Sequence, residues 1–510
     1  MRPSNVVVVG AGFGGLASAI RLQAAGHQVT LLEKRGQIGG RAGQLQVDGY
    51  TFDMGPSIIT APHLLEELWS SAGARLADDV ELLPLTPYYR VHFADGRYFD
   101  YGGTTEQVEA QVRAFDPGAV DGYRRFMRAT QHIYHRAFED LAGQPFHRFS
   151  TFAKLLPELL RLNAAQSVYD FVSRFFRDAH LRTVFSFHPL FIGGNPFRAS
   201  AIYSIVPHLE RQGGVWFARG GMYALVEAMH ALYERLGGYT RLSTPVEQVL
   251  INELSRRAVG VRLGNGEVLE ADAVVLNADV ASAYMRLVPA RFRKRMTDGR
   301  LRRYRYAMSC FLLYLGLDRQ YPDKLLHHTI VMGPRYRGLI RDIFDGHGLP
   351  PDMSLYLHVP TRTDSSMAPA GGESLYILAP VPHLGRGIDW GAEAQPFRDR
   401  IVRFLEHDFG LTGLEQSIRV ERRMTPLDFR DDLSSYLGSA FSIEPTLLQS
   451  AWFRPHNVSE DLAGLYLVGA GTHPGAGLPG VLLSAKITSE LIAQALPGAA
   501  HRLIPAVAAA

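Results

Sequence analysis

The sequence predicts an α/β fold, α+β over the chain as a whole, on three observations. An apolar run, a glycine turn, a helical stretch and a second apolar run open the chain. A helix followed by strands is written around residues 220–277, and the run Gly464–Gly469 again reads as a strand entering a glycine turn. Together these predict a Rossmann-type dinucleotide domain that is discontinuous, taking its last strand from the C-terminal region. Its expected pieces are 1–75, 205–288 and 455–500, with a sheet-containing domain from 76–114 and 289–454 and a helical sub-domain inserted at 115–204. A chain of 510 residues is long enough for several cores and a large cofactor.

Taken in order, Val6–Val9 is a β-branched run suited to a buried parallel strand, Leu16–Leu22 has helical spacing, and Gln28–Glu33 reads as the next strand. After Gly220-Gly221 a helix is expected from Met222 to Leu236, with strands near Val246–Ile251, Ala258–Leu263 and Ala273–Asn277; Gly264-Asn265-Gly266 predicts a tight hairpin between two of them. Further strands are expected at Ala307–Leu317 and Ser374–Val381, and helices near Pro396–Phe409 and after Gly480. Only Ala506–Ala510 looks low in complexity.

Composition excludes several classes. Hydrophobic residues at 46% and charged residues at 20% are ordinary globular values, and a net charge of +3 gives no global argument for a nucleic-acid partner. The single cysteine, Cys310, makes no internal disulfide, Cys-x-x-Cys pair or thiolate cluster, which favours a reducing cytoplasm. No run approaches the roughly 18 apolar residues of a membrane span. The 19 histidines look scattered, with no metal-ligand spacing, so no metal is expected, and no Gly-x-Ser-x-Gly elbow suggests a hydrolase.

In Gly10-Ala11-Gly12-Phe13-Gly14-Gly15, Gly10 permits the strand-to-helix turn, Gly12 lets backbone approach a pyrophosphate, and Gly15 lets helix and strand pack closely. Glu33, 18 residues beyond Gly15, is placed to accept a hydrogen bond from a ribose hydroxyl, with Lys34 beside it. Gly39-Gly40-Arg41-Ala42 follows at once. A second fingerprint is attempted at Gly469-Ala470-Gly471-Thr472-His473-Pro474 and fails, because Pro474 stands where the third glycine belongs. One nucleotide cofactor is therefore expected, reoxidised by an external acceptor.

Glu33 followed by Gly39-Gly40-Arg41 resembles the amine oxidase and carotenoid desaturase superfamily of flavoproteins. Leu465–Val481, Gln449–Asn457, Thr425–Phe429, Asp53–Ser57 and Gly213–Trp216 resemble, in the same order, the motifs of bacterial-type phytoene desaturases. The resemblance implies FAD in the first domain, a carotene substrate such as phytoene in the second, and stepwise removal of hydrogen to give products such as lycopene. Desaturases of later or shorter carotenoids, a flavin-dependent carotenoid isomerase and a non-catalytic carotenoid-binding flavoprotein are the alternatives. It further implies that Gly469, Ala470, Gly471, Gly480 and Val481 line the flavin, that Gly55, Pro56 and Ser57 pass near its ring, and that Val246 meets the adenine end.

The expected acceptor is quinone or dioxygen. Hydride goes to the cofactor, so the protein is left with positioning and a proton. His473, Arg454 and Asp428 are the candidates for the latter. Each has a structural alternative: a turn hydrogen-bonder, a carboxylate partner or loop clamp, and a helix-start residue, respectively. A lipid-soluble substrate implies a protein peripheral to the inner face of the cell membrane. Phe149, Phe152, Leu156, Leu159 and Leu160, beside Arg148, Lys154 and Arg161, suit an interfacial helix or a core-facing stripe. The basic cluster Arg291, Arg293, Lys294, Arg295, Arg300, Arg302, Arg303 and Arg305 suits anionic lipid or plain solvation.

Overall fold

The computed structural model describes residues 3–150, 152–154, 157 and 164–496. Val6–Val8, buried on both faces as a β-branched run requires, lie at the centre of a five-stranded parallel sheet. The strand order is Leu465–Leu467, Ala273–Leu276, Asn5–Val9, Gln28–Leu32, Tyr239–Arg241. Four segments distant in sequence thus build one sheet, and the strand near the C-terminus pairs with Ala273–Leu276. The helices Phe13–Ala24, Met222–Arg235 and Leu478–Ala495 share one apolar core with it.

The hairpin at Gly264–Gly266 forms, but its second strand is Val268–Glu270, which the sequence reading passed over. Val246–Asn252, Arg257–Leu263 and Val268–Glu270 make a separate antiparallel sheet, whereas Ala273–Leu276 leaves it to pair in parallel with the N-terminal strand. Alternation of exposed and buried residues marks the first set, and the fully buried Ala-Val-Val-Leu run marks the second.

A seven-stranded mixed sheet follows the order Ile418–Met424, Ser309–Leu317, Glu373–Val381, Leu355–His358, His328–Val331, Tyr89–His92, Tyr98–Tyr101. The helix expected near Pro396–Phe409 starts earlier: it is α-helical over Trp390–Arg403 and continues as a π-helix over Phe404–Asp408, with Asp389 accepting from the Gly391 amide at its start and Pro396 inside it. The proline suggested a start, but the aspartate seven residues earlier caps the helix. Helices Val120–Ile133, Val168–Ser173 and Ala179–Ser186 pack Phe126, Phe171, Phe176 and Phe185 into one core with Tyr89, Phe99 and Tyr101 of the seven-stranded sheet. The helical block is therefore packed onto that sheet's edge.

Of the expected interfacial helix, Leu156, Leu159, Leu160 and Arg161 lie outside the described residues. Phe152 is buried against Trp452 and Phe453, while Phe149 is 58% exposed with its ring edge on Trp452. The basic cluster is partly neutralised: Arg291 pairs with Glu253, Arg300 with Glu460, and buried Arg293 with Asp298. Arg302 and Arg303 stand exposed. Among the described residues no helix is long and apolar enough to cross a membrane.

Candidate cofactor site and apolar channel

The carboxyl ends of the parallel strands converge where a cofactor would be expected in such a sheet. Val9, Leu32 and Leu276 lead directly into Gly10, Glu33 and Asn277, and Leu467 leads through Val468 to Gly469. The turn is dense. A Cβ on Gly15 would lie 1.9 Å from the Gly10 carbonyl oxygen, and one on Gly10, where φ is +101°, would lie 2.3 Å from the Asn277 carbonyl oxygen. Asn277 Nδ2 donates to the Gly10 carbonyl at 3.0 Å, so this residue, which the sequence reading did not single out, fastens the turn to the neighbouring strand. Its signal was present, as a polar residue ending a Val-Val-Leu strand.

The helix Phe13–Ala24 starts at Gly12 with no side-chain cap and no acidic residue in its first turn, leaving its amides and dipole for an anion. Glu33 accepts from the amides of Ala11 and Arg35, both at 2.9 Å, which fixes the carboxylate beside the turn. Arg41 is half-buried, donates to Ser435 Oγ at 2.7 Å and leaves its buried Nε without a partner. A free amide terminus, a fixed carboxylate and an incompletely paired guanidinium fit a dinucleotide.

These groups face a cavity of about 1030 Å³. It is lined by Gly10, Gly12, Gly14, Glu33, Lys34, Gly40, Arg41, Gly55, Pro56, Ser57, Val246, Gly469, Ala470, Gly471, Gly480 and Val481. Gly15 alone of the residues expected at the cofactor is set back, packed against Gly10. The same cavity is also lined by an apolar wall that includes Ile205, Phe187, Leu190, Phe191, Met332 and Phe441. Asp53 holds the Gly55–Ser57 segment in place. Its buried carboxylate, pushed up to about 7 by desolvation, accepts from the Met222 and Tyr223 amides at 2.8 and 3.1 Å.

The three candidates for the proton are not brought together. His473 lines the cavity, with its ring edge-on to Phe146 at 4.8 Å; burial, aided by Arg454, pushes its imidazole down to about 3, so it is neutral. Arg454 is buried and donates to the carbonyls of Gln449, Thr472, Ile443 and Ala470, clamping the turn that carries Gly469–Gly471. Asp428 accepts from the Thr425 amide at 2.6 Å as part of a capping box on Pro426–Asp431. Neither of these two lines the cavity.

Two clusters escaped the sequence reading. His327, His328 and His358, counted among scattered histidines, converge with one ring nitrogen each within 4.8 Å of the others, because His328 and His358 are register partners on adjacent strands. Glu210, a wall residue of the channel, is buried with Tyr89 and His188. Neither grouping has a sequence spacing that would announce it.

The model of the flavin containing amine oxidoreductase family matches residues 13–493. A phytoene desaturase (lycopene-forming) of Pseudescherichia vulneris is 49% identical over 96% of this chain and 99% of its own length. The enzyme described in the same words from Pantoea ananas is 47% identical over 97% and 100%. Among solved structures, an oxidoreductase of Methanosarcina mazei superposes with a TM-score of 0.65 at 15% identity, covering 95% of this chain and all of its own. With the glycine turn, the fixed Glu33 and the shared cavity already in place, the chain belongs to the flavin containing amine oxidoreductase family and is an FAD-dependent oxidoreductase.

Proposed function

We propose that this enzyme desaturates phytoene in successive steps to more conjugated carotenes such as lycopene. The observation that carries the reading is that one cavity is lined both by the glycines of the cofactor end and by a largely apolar wall suited to a polyene. The phytoene desaturases that match over their full length support the same substrate. Bound FAD supplies a hydride acceptor at flavin N5. The chain's own residues bind and exclude water: Gly12 and the helix after it take the pyrophosphate, Glu33 a ribose hydroxyl, Val246 the adenine end, and Gly469–Gly471, Gly480 and Val481 the flavin. Gly55, Pro56 and Ser57 would lie near the flavin.

A water-insoluble substrate places the protein at a lipid surface, on the inner face of the cell membrane, with the helical block at 115–204 and the exposed Arg302/Arg303 as contacts and quinone or dioxygen as acceptor. Expression in cells that accumulate phytoene, followed by chromatography of the pigments, tests the reading. More conjugated carotenes are expected; unchanged phytoene, or an isomer of the same mass, would overturn it. Anaerobic bleaching of the bound flavin by phytoene separates catalysis from mere binding.

A further inference from the structure

We infer that Glu210 is the proton acceptor of the desaturation, held by Tyr89 and His188 in the wall of the apolar channel; this rests on the phytoene desaturase reading. Removing hydrogen from a saturated C–C bond takes two C–H bonds. One leaves as hydride to the cofactor; the other must lose a proton while its electron pair becomes the second bond of the new C=C. Once hydride has gone, that C–H is strongly acidic, and a carboxylate oxygen suffices to form the O–H bond that balances the step.

Glu210 is only 1% exposed, yet it lines the cavity that holds the substrate channel. It sits on the helix Val206–Gly213, and its carbonyl accepts from the Gly214 amide at 2.9 Å. Two residues on, Trp216 bridges to Ile59, close in sequence to Ser57. The backbone at Glu210 is therefore tied by a short run of chain to the Gly55–Ser57 segment. The Tyr89 hydroxyl donates to Glu210 Oε2 at 3.0 Å and lies 2.6 Å from His188 Nε2, which is itself 3.7 Å from the carboxylate. With the Tyr89 proton given to Glu210, His188 Nε2–H must donate to Tyr89. This line orients the carboxylate.

Burial pushes Glu210 up to about 8, the Tyr89 hydrogen bond acting in the opposite direction, and burial pushes His188 down to about 3. The other groups facing it are Tyr88 and Tyr101, and Arg211 on its own helix, whose guanidinium is turned to the Gly103 carbonyl. No cation is seated on the carboxylate among the described residues. Glu210 is thus a base whose charged form gains as pH rises through about 8.

The test compares wild type, Glu210→Gln and Glu210→Asp as FAD-loaded protein on phytoene-bearing vesicles. Glutamine keeps the shape and a hydrogen-bond acceptor for Tyr89. It is expected to retain full flavin content but to lose about 100-fold or more of the turnover rate, with the alkaline rise of the wild-type rate abolished; aspartate is expected to restore part of the rate and the rise. Tyr89→Phe is expected to move that rise without removing it. Independently of turnover, the wild-type minus Glu210→Gln infrared difference should hold a buried carboxylic acid band that disappears as pH rises through about 8, distinct from the Asp53 and Glu373 acids that titrate near 7 in both proteins. Equal rates and pH profiles in wild type and Glu210→Gln would overturn the assignment, as would the absence of a buried acid titrating at about 8 in the wild-type spectrum if the glutamine variant did not fold. Wild type that fails to desaturate phytoene at all would instead count against the substrate reading.

Discussion

A methyl group at Gly15 has no room, because the Gly10 carbonyl oxygen lies 1.9 Å from where it would go. Gly15→Ala is therefore expected to cost about 1–3 kcal/mol through overpacking and to spread the turn enough to lose bound flavin, read as the flavin-to-protein absorbance ratio. Gly266→Ala is the control: its φ of +87° makes alanine strained, at about 1–2 kcal/mol, but nothing lies within 4 Å, and flavin content is expected to stay unchanged. Arg454→Lys tests the clamp. One ammonium cannot reach four carbonyls on both sides of the Gly469–Gly471 turn, so a lower melting temperature, equivalent to about 1–3 kcal/mol, should come with weaker flavin retention, measured by calorimetry and absorbance. Arg454 and Asp428 were legible in the sequence as motif residues, but whether each faced the substrate or the backbone was decided by contacts with residues 443–472 and 425, respectively.

At the level of elements, the parallel strands were readable because residues buried on both faces must be apolar throughout, and the antiparallel strands because one face is wet. What failed was pairing. The short strand Val268–Glu270 has no strong pattern, and the Trp390–Arg403 helix carries a proline that suggested a later start. The basic segment shows the same limit: eight cations in sequence shrink once Arg291, Arg293 and Arg300 find acidic partners from other elements. If the remaining exposed charges hold the protein to anionic lipid, Arg302→Glu with Arg303→Glu should reduce co-sedimentation with anionic vesicles and lessen its salt sensitivity. Unchanged binding would leave the segment a solvated face.

Stability against pH belongs to the whole molecule. Burial holds His188, His327 and His473 at about 3, against 6.5 when unfolded, so below pH 6.5 the unfolded chain takes up protons the native state refuses. Each such group makes stability fall with acidification by about 1.4 kcal/mol per pH unit. Burial raises Asp53 and Glu373 to about 7 and Glu210 to about 8, so these carboxyls stabilise the native state in protonated form, and that contribution is lost as pH rises from the unfolded values of 3.8 and 4.5 up to those values. The two sets oppose each other between about pH 4 and 6.5. Denaturant titrations are expected to find a broad optimum there, with loss on both sides; a monotonic rise to pH 9 would contradict the burial of these carboxyls.

The sequence by itself determined the parallel sheet and the glycine turn at its carboxyl end, because these depend on local patterns: burial period, glycine where backbone must approach, an acid at a strand end. Only the tertiary structure decided which polar groups meet across the chain, such as Asn277 with Gly10, His328 with His358 and Glu210 with Tyr89. Such contacts are set by strand order and helix packing between segments as much as 267 residues apart, and no spacing along the chain encodes them.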